Sequence, residues 1–83
     1  MATQNTFHLV IASVGETRFD GPAISATFPG SDGALTVLAH HEPFVTTLKK
    51  GTIRVRESSA NPKDFPIENG VLEVSRNRAV VLM

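Results

Sequence analysis

Three groups of side chains in this 83-residue chain are of the types that chemistry uses. His40, His41 and Glu42 place two imidazoles and a carboxylate in consecutive positions, the donor types of a metal site. On an extended backbone, neighbouring side chains point to opposite faces, so the two rings diverge from any single ion and the segment reads as a surface turn. Ser31 and Asp32, with the histidines, supply a nucleophile, an acid and a base, but their order matches no strained nucleophile turn. Pro29-Gly-Ser-Asp-Gly33 reads instead as a glycine-bracketed turn whose polar side chains bond nearby amides. The same glycines suit an anion cradle, yet the spacing is neither that of a dinucleotide loop nor that of a P-loop. Lys49, Lys50, Arg54 and Arg56 form a small basic cluster of the kind used by single-strand binders. That chemistry also needs stacking rings. Tyrosine and tryptophan are absent, and Phe7 and Phe28 share faces with aliphatic residues, so the arginines are read as solvated or paired across strands.

The elements that must position these residues are short strands. Glycine and proline divide the chain into segments that alternate apolar and polar residues with a period of two. Phe7, Leu9 and Ile11 share one strand face; Ile24, Ala26 and Phe28 share another, after an expected turn at Asp20-Gly21-Pro22. Leu35 and Val37 extend the core, and Ile53 and Val55 alternate with Arg54 and Arg56. Leu72 and Val74 repeat the pattern, and Asn77, tolerant of positive φ, suits a hairpin turn before Ala79-Val-Val-Leu82. Residues 42–51 carry conflicting signals. Glu42-Pro43, an apolar stripe and Lys49-Lys50-Gly51 resemble helix start and stop, whereas Val45, Thr46 and Thr47 are β-branched; we read a strand. Ser58 to Asp64 is expected to be a polar loop, a place for mobility and tolerated insertion. About nine short strands at this spacing predict a β-sandwich or barrel.

Composition narrows the function further. The length suits one domain spanning residues 1–83, with no room for a second core. Eight basic residues balance eight acidic ones without a basic stripe, which argues against nucleic acid as a partner. Cysteine is absent, so neither disulfides nor thiolate metal sites are expected. The start, Met1 to Thr6, lacks the basic residues and apolar run of an export signal, and no apolar run approaches the roughly 20 residues of a spanning helix.

A longer pattern covers nearly the whole chain. Phe28-Pro-Gly-Ser-Asp-Gly-Ala-Leu-Thr-Val-Leu-Ala-His-His-Glu-Pro-Phe-Val-Thr-Thr-Leu48 joins a proline-glycine-acidic-glycine turn, an apolar strand, a histidine two residues before proline, and a second strand. With Gly51-Thr-Ile-Arg-Val-Arg56 and Asn69-Gly-Val-Leu-Glu-Val-Ser-Arg-Asn-Arg-Ala-Val-Val-Leu82, it resembles the epsilon subunit of F-type ATP synthases. The resemblance selects an all-β fold, a two-sheet β-sandwich of short antiparallel strands. It also implies a non-catalytic rotor subunit of the central stalk that binds the gamma subunit and rests on the polar loops of the c-ring, coupling proton flow to ATP synthesis. No cofactor is implied, and membrane association arises only through the complex, as a peripheral component at the cytoplasmic face of the inner (plasma) membrane.

Matched position by position, Ser31, Asp32, Gly33 and Ala34 occupy the loop that faces the c-ring, with His41 on the neighbouring turn. Ser13, Glu42, Pro43 and Thr46 match positions facing gamma. Three positions depart from the family pattern: Ala34 stands for an acidic residue, His40 for glycine and Glu42 for a small apolar residue. Family members continue into two C-terminal helices that restrain ATP hydrolysis and in some cases bind ATP. After Met83 no segment remains for them, so neither property is expected of this chain, which is either a naturally short epsilon or one domain of a longer one. Two competing functions are a free-standing regulatory or adaptor paralogue of the sandwich and a small nucleic-acid-binding β-domain.

Overall fold

Apolar residues at every second position drive nine strands in a computed structural model that describes residues 5–57 and 61–83. In chain order these are β1 (Phe7–Ser13), β2 (Glu16–Ala23), β3 (Ser25–Gly30), β4 (Gly33–Leu38), β5 (Phe44–Leu48), β6 (Gly51–Arg56), β7 (Lys63–Ile67), β8 (Gly70–Ser75) and β9 (Arg78–Leu82). The all-β expectation therefore stands, and the β-branched residues of β5 overrule its helix-like ends. The ladders run β2-β1-β9-β8-β5-β3-β6-β7, with β4 on the other side of β3. The expected antiparallel pairing holds in every ladder except β1–β9, which is parallel.

A single residue pair, Gly30 opposite Leu48, joins β3 to β5 and divides this curled sheet into two layers. One layer is β2-β1-β9-β8-β5 and the other is β4-β3-β6-β7. Phe7, Leu9, Ile11, Leu72 and Val81 from the first meet Ala26, Phe28, Val37, Ile53 and Val55 from the second in one buried cluster. The two outermost strands approach through side chains: Phe19 of β2 and Phe65 of β7 make an edge-to-face pair with centroids 5.7 Å apart, and Lys63 Nζ lies 5.9 Å from the Phe19 ring.

Three local expectations change. Asp20-Gly21-Pro22 is not a turn but part of β2, opposite Val10, Leu9 and His8 of β1 in that order. An edge strand tolerates Gly and Pro because its outer side needs no N–H donor, and the reversal falls earlier, at Val14-Gly15, where Gly15 has φ 77°. Ile24 consequently lies in the bend between β2 and β3, half-buried, with its N–H donating to Arg56 O at 2.7 Å; Ala23 takes the inward place. The polar loop expected over 58–64 is shorter, because Lys63 and Asp64 already belong to β7, and residues 58–60 lie outside the described residues. The asparagine-turned hairpin is present, with Arg76 at φ 51° and Asn77 at φ 57°, the two positive values of a primed turn.

Gly30 is required by close approach. A Cβ there would stand 2.6 Å from Gly33 O and 2.9 Å from Leu35 Cδ2. Gly30→Ala is expected to cost about 1–3 kcal/mol of unfolding free energy by overpacking the corner. Gly21→Ala, whose nearest neighbour is Phe19 Cζ at 4.0 Å, should stay within about 0.5 kcal/mol of the parent. Urea titration of the two variants checks this, and equal midpoints would overturn it.

Candidate interaction surfaces

The register fixes which residues share an end of the sandwich. Strand β3 enters the Ser31-Asp32 turn and β4 leaves it, with Gly30 opposite Gly33, so the turn has two residues. Because Leu48 lies opposite Gly30, this end also holds Lys49 and Lys50. Ser13, at the exit of β1, belongs to the same end and lines an open groove with Arg18, Glu68 and Met83. Strand β4 then carries the chain to the opposite end, where Ala39 to Pro43 form the connection to β5 beside the Arg76-Asn77 turn. Six residues of extended chain separate the two ends by roughly 20 Å.

The expected site residues are therefore not grouped as the sequence suggested. Ser31, Asp32, Gly33 and Ala34 are together and exposed. His41 is at the far end, not on a turn adjacent to them, because β4 intervenes. Glu42 and Pro43 accompany His41, whereas Ser13 is at the near end. Thr46 lies opposite Leu72, which is fully buried, so its side chain shares the inward face of β5 and is half-buried; Val45 and Thr47 point outward.

Both ends are held by specific bonds. At the near end, Ser31 N–H donates to Thr47 O at 3.1 Å, Ser31 Oγ donates to the same oxygen at 3.2 Å, and the two hydroxyls are 2.8 Å apart. The Ser31 hydroxyl is thus a strap across to β5, and among the described residues His8, His40 and His41 are all at the other end. At the far end, Asn77 Oδ1 accepts from His40 N–H at 2.7 Å, and Asn77 Nδ2 donates to Thr6 O at 2.9 Å. His8 N–H donates to Asn77 O at 3.1 Å, so one residue ties the start of β1, the β4–β5 connection and the β8–β9 hairpin together. His40 adopts φ 62°, a left-handed conformation that a residue with a Cβ rarely takes. His41 turns the other way: its ring lies 5.0 Å from that of Phe44, with Nδ1 2.9 Å from Glu42 O. Among the described residues no three histidine, cysteine, aspartate or glutamate side chains converge as a metal set.

The two outward faces differ in character. On the β4-β3-β6-β7 layer, Thr27 and Thr36 hydroxyls are 3.0 Å apart, and Arg54 grips the facing Asp64 through two bonds of 2.9 and 3.1 Å. The basic cluster expected from the sequence is thereby partly neutralised. That hydrogen bonding, helped by charge attraction, holds the Asp64 carboxyl below its usual range and raises the Arg54 guanidinium.

The other layer turns an apolar row outward. Val10, Val80, Glu73 and Val45 are consecutive across β1, β9, β8 and β5, and Ala12, Leu82, Val71 and Thr47 form the row beside them. Val45 is 65% exposed, Leu82 60% and Val71 43%, and they adjoin one another, whereas exposed Leu38 on the other layer has Ser25 and Arg56 beside it. These residues were not picked out from the sequence, although a signal existed. Leu9-Val10-Ile11, Val71-Leu72 and Ala79-Val80-Val81-Leu82 are continuous apolar runs, the pattern of strands covered on both faces.

A family model and curated relatives point to one family, and solved structures share the fold. The model of the β-sandwich domain of the ATP synthase delta/epsilon chain matches residues 6–83. An ATP synthase epsilon chain of Chlorobium limicola is 33% identical over 81 residues, which cover 98% of this chain and 92% of that protein. The epsilon chain of Delftia acidovorans is 32% identical over 78 residues, or 94% of this chain, but the match spans only 56% of that longer relative. A chain in the mitochondrial ATP synthase of Euglena gracilis superposes with a TM-score of 0.88 at 21% identity, over 94% of this chain and 50% of its own length. A chain in the Tetrahymena thermophila central stalk and c-ring structure superposes with a TM-score of 0.76 at 16% identity, over 98% of this chain and 65% of its own length.

Two outcomes follow from these contacts. Since Asp64 has a depressed pKa in the fold, its contribution to stability is present above about pH 4 and is lost as pH falls below that. Asp64→Asn should therefore be less stable than the parent at pH 7, with the gap closing as pH falls through the depressed titration of the carboxyl in denaturant titrations; a gap independent of pH would refute it. His40→Gly relieves the left-handed Cβ but loosens the unfolded chain, for a net gain of about 0.5–1 kcal/mol. A lowered thermal midpoint would contradict this.

Proposed function

This chain belongs to the β-sandwich family of ATP synthase delta and epsilon chains, and from that premise we propose that it is a non-catalytic rotor subunit of the central stalk. In this reading it binds the gamma subunit through the apolar outer face of β1, β9, β8 and β5. It meets the polar loops of the c-ring through the exposed Ser31 to Ala34 turn. Glu42 and Pro43 at one end of the face and Ser13 at the other flank the gamma contact. His41, roughly 20 Å from the Ser31 turn, is assigned to the gamma side. The domain reaches the membrane only through the complex, on the side where the gamma subunit stands, and couples proton flow to ATP synthesis by passing torque, without a reaction of its own.

The observation that carries this reading is the polarity of the two outward faces. A layer that displayed Val45, Val71 and Leu82 to water without a partner would expose apolar area for no return. The opposite layer meets water mainly with threonine hydroxyls and a paired arginine, and its one exposed large apolar side chain among the described residues, Leu38, stands alone beside Ser25 and Arg56. A dense interior without buried unpaired polar side-chain atoms among the described residues suits a part that transmits force without deforming.

Mixed with the cognate gamma subunit at micromolar concentration, the chain should elute as a one-to-one complex in size-exclusion chromatography. Val45→Asp, which places a charge in the apolar row while leaving the core untouched, should weaken the complex at least about tenfold. Thr36→Asp, on the polar face, should leave it unchanged. Separate elution of the parent, or equal effects of the two variants, would sink the assignment.

A further inference from the structure

One carboxylate interrupts the apolar row. Glu73 lies directly between Val45 of β5 and Val80 of β9, and the adjoining row brings Val71 and Leu82 close on the same face. Strand register leaves it no choice of side, because Leu72 and Val74 on either flank are buried. The ion pairs among the described residues are His8–Asp20, Arg18–Glu16, Arg54–Asp64 and Lys63–Glu57, so Glu73 has no partner within 4.0 Å there. The nearest cation on its face is Arg78, which stands diagonally across β9, opposite Ser75. Beyond Arg78 on that face is His8, and the row of Glu73 itself ends past Val10 at Asp20 of β2, which pairs with His8 at 2.6 Å.

We propose that Glu73 selects the partner: the surface that covers this face is apolar with one lysine or arginine placed opposite Glu73. The proposal rests on the gamma reading above and adds the chemistry of the contact. In the free chain the carboxylate is exposed and hydrated. Covering Val45, Val80 and Val71 with an apolar surface strips that hydration from it, a loss that only a facing cation and its hydrogen bonds offset. A charge central to an apolar face also rejects neutral and acidic surfaces that would otherwise adhere to it, which is how a small patch gains specificity.

Binding of the full chain to its cognate gamma subunit, measured by calorimetry, decides the matter through the sign of two substitutions. If a cation faces Glu73, Glu73→Gln weakens binding at least about tenfold and Glu73→Leu at least as much, because each leaves that cation buried and unpaired. If no cation is there, both variants bind as tightly as the parent or more tightly, since a costly desolvation has been removed; that result overturns the proposal. Glu73→Gln is nearly isosteric at an exposed position, so it reads the sign even where the leucine variant aggregates. A parent chain that does not bind gamma removes the gamma reading itself, an outcome distinct from a parent that binds and a glutamine variant that binds equally well.

Discussion

The placing of every surface depends on one close contact between backbones, Gly30 against Leu48. There β5 leaves its own layer and pairs with the end of β3, through Ser31 N–H to Thr47 O and Lys49 N–H to Pro29 O. The chain can come this near only because Gly30 has no side chain, and a second glycine, Gly51, gives way to Pro29 in the same manner: a Cβ on Gly51 would be 2.7 Å from Pro29 Cβ. Closing the corner brings the apolar faces of both layers into contact and so buries Phe28, Leu48 and Ile53 together. It also decides that the Ser31-Asp32 turn projects from the end where β5 finishes.

Much of this was legible in the chain. Period-two alternation identified most of the strands and inward residues such as Leu9, Phe28, Ile53 and Leu72, because in a two-layer fold one face of each strand must be apolar, but it missed β2 and β7 and put Ile24 inward where Ala23 is buried. Glycine and asparagine located the reversals at Ser31-Asp32 and Asn77, since few other residues take positive φ. Alternation cannot say which strands neighbour one another, however. The parallel β1–β9 ladder and the inclusion of Asp20-Gly21-Pro22 in an edge strand follow from tertiary packing that no local window contains.

The site residues were harder to place for a related reason. Residues close in sequence, such as Ala34 and His41, are parted by a strand, while residues far apart, such as Ser31 and Thr47, are joined by it. Thr46 and Thr47 are chemically alike, and only the pairing of Thr46 with buried Leu72 tells which one faces outward. His40 is the instructive case. The resemblance placed it where relatives have glycine, and the structure gives it the left-handed backbone that glycine suits, with Asn77 Oδ1 fixing its N–H. The turn keeps its shape at the expense of local strain, anchored by a residue 37 positions away.

The division of Ser13 from Glu42 and Pro43 between opposite ends looks at first like evidence against a common partner. Strands β1, β9, β8 and β5 each run from one end to the other, so a segment lying along them passes Ala12 and Leu82 near the first end and Val45 near the second. Its length would be roughly 20 Å, about four turns of helix. A partner standing across the strands would instead reach only one row and leave the other wet. The two end groups and the apolar rows thus belong to a single surface only if the partner follows the strand direction, and the arrangement of Val10, Val80, Glu73 and Val45 in one row puts the charged position midway across its path.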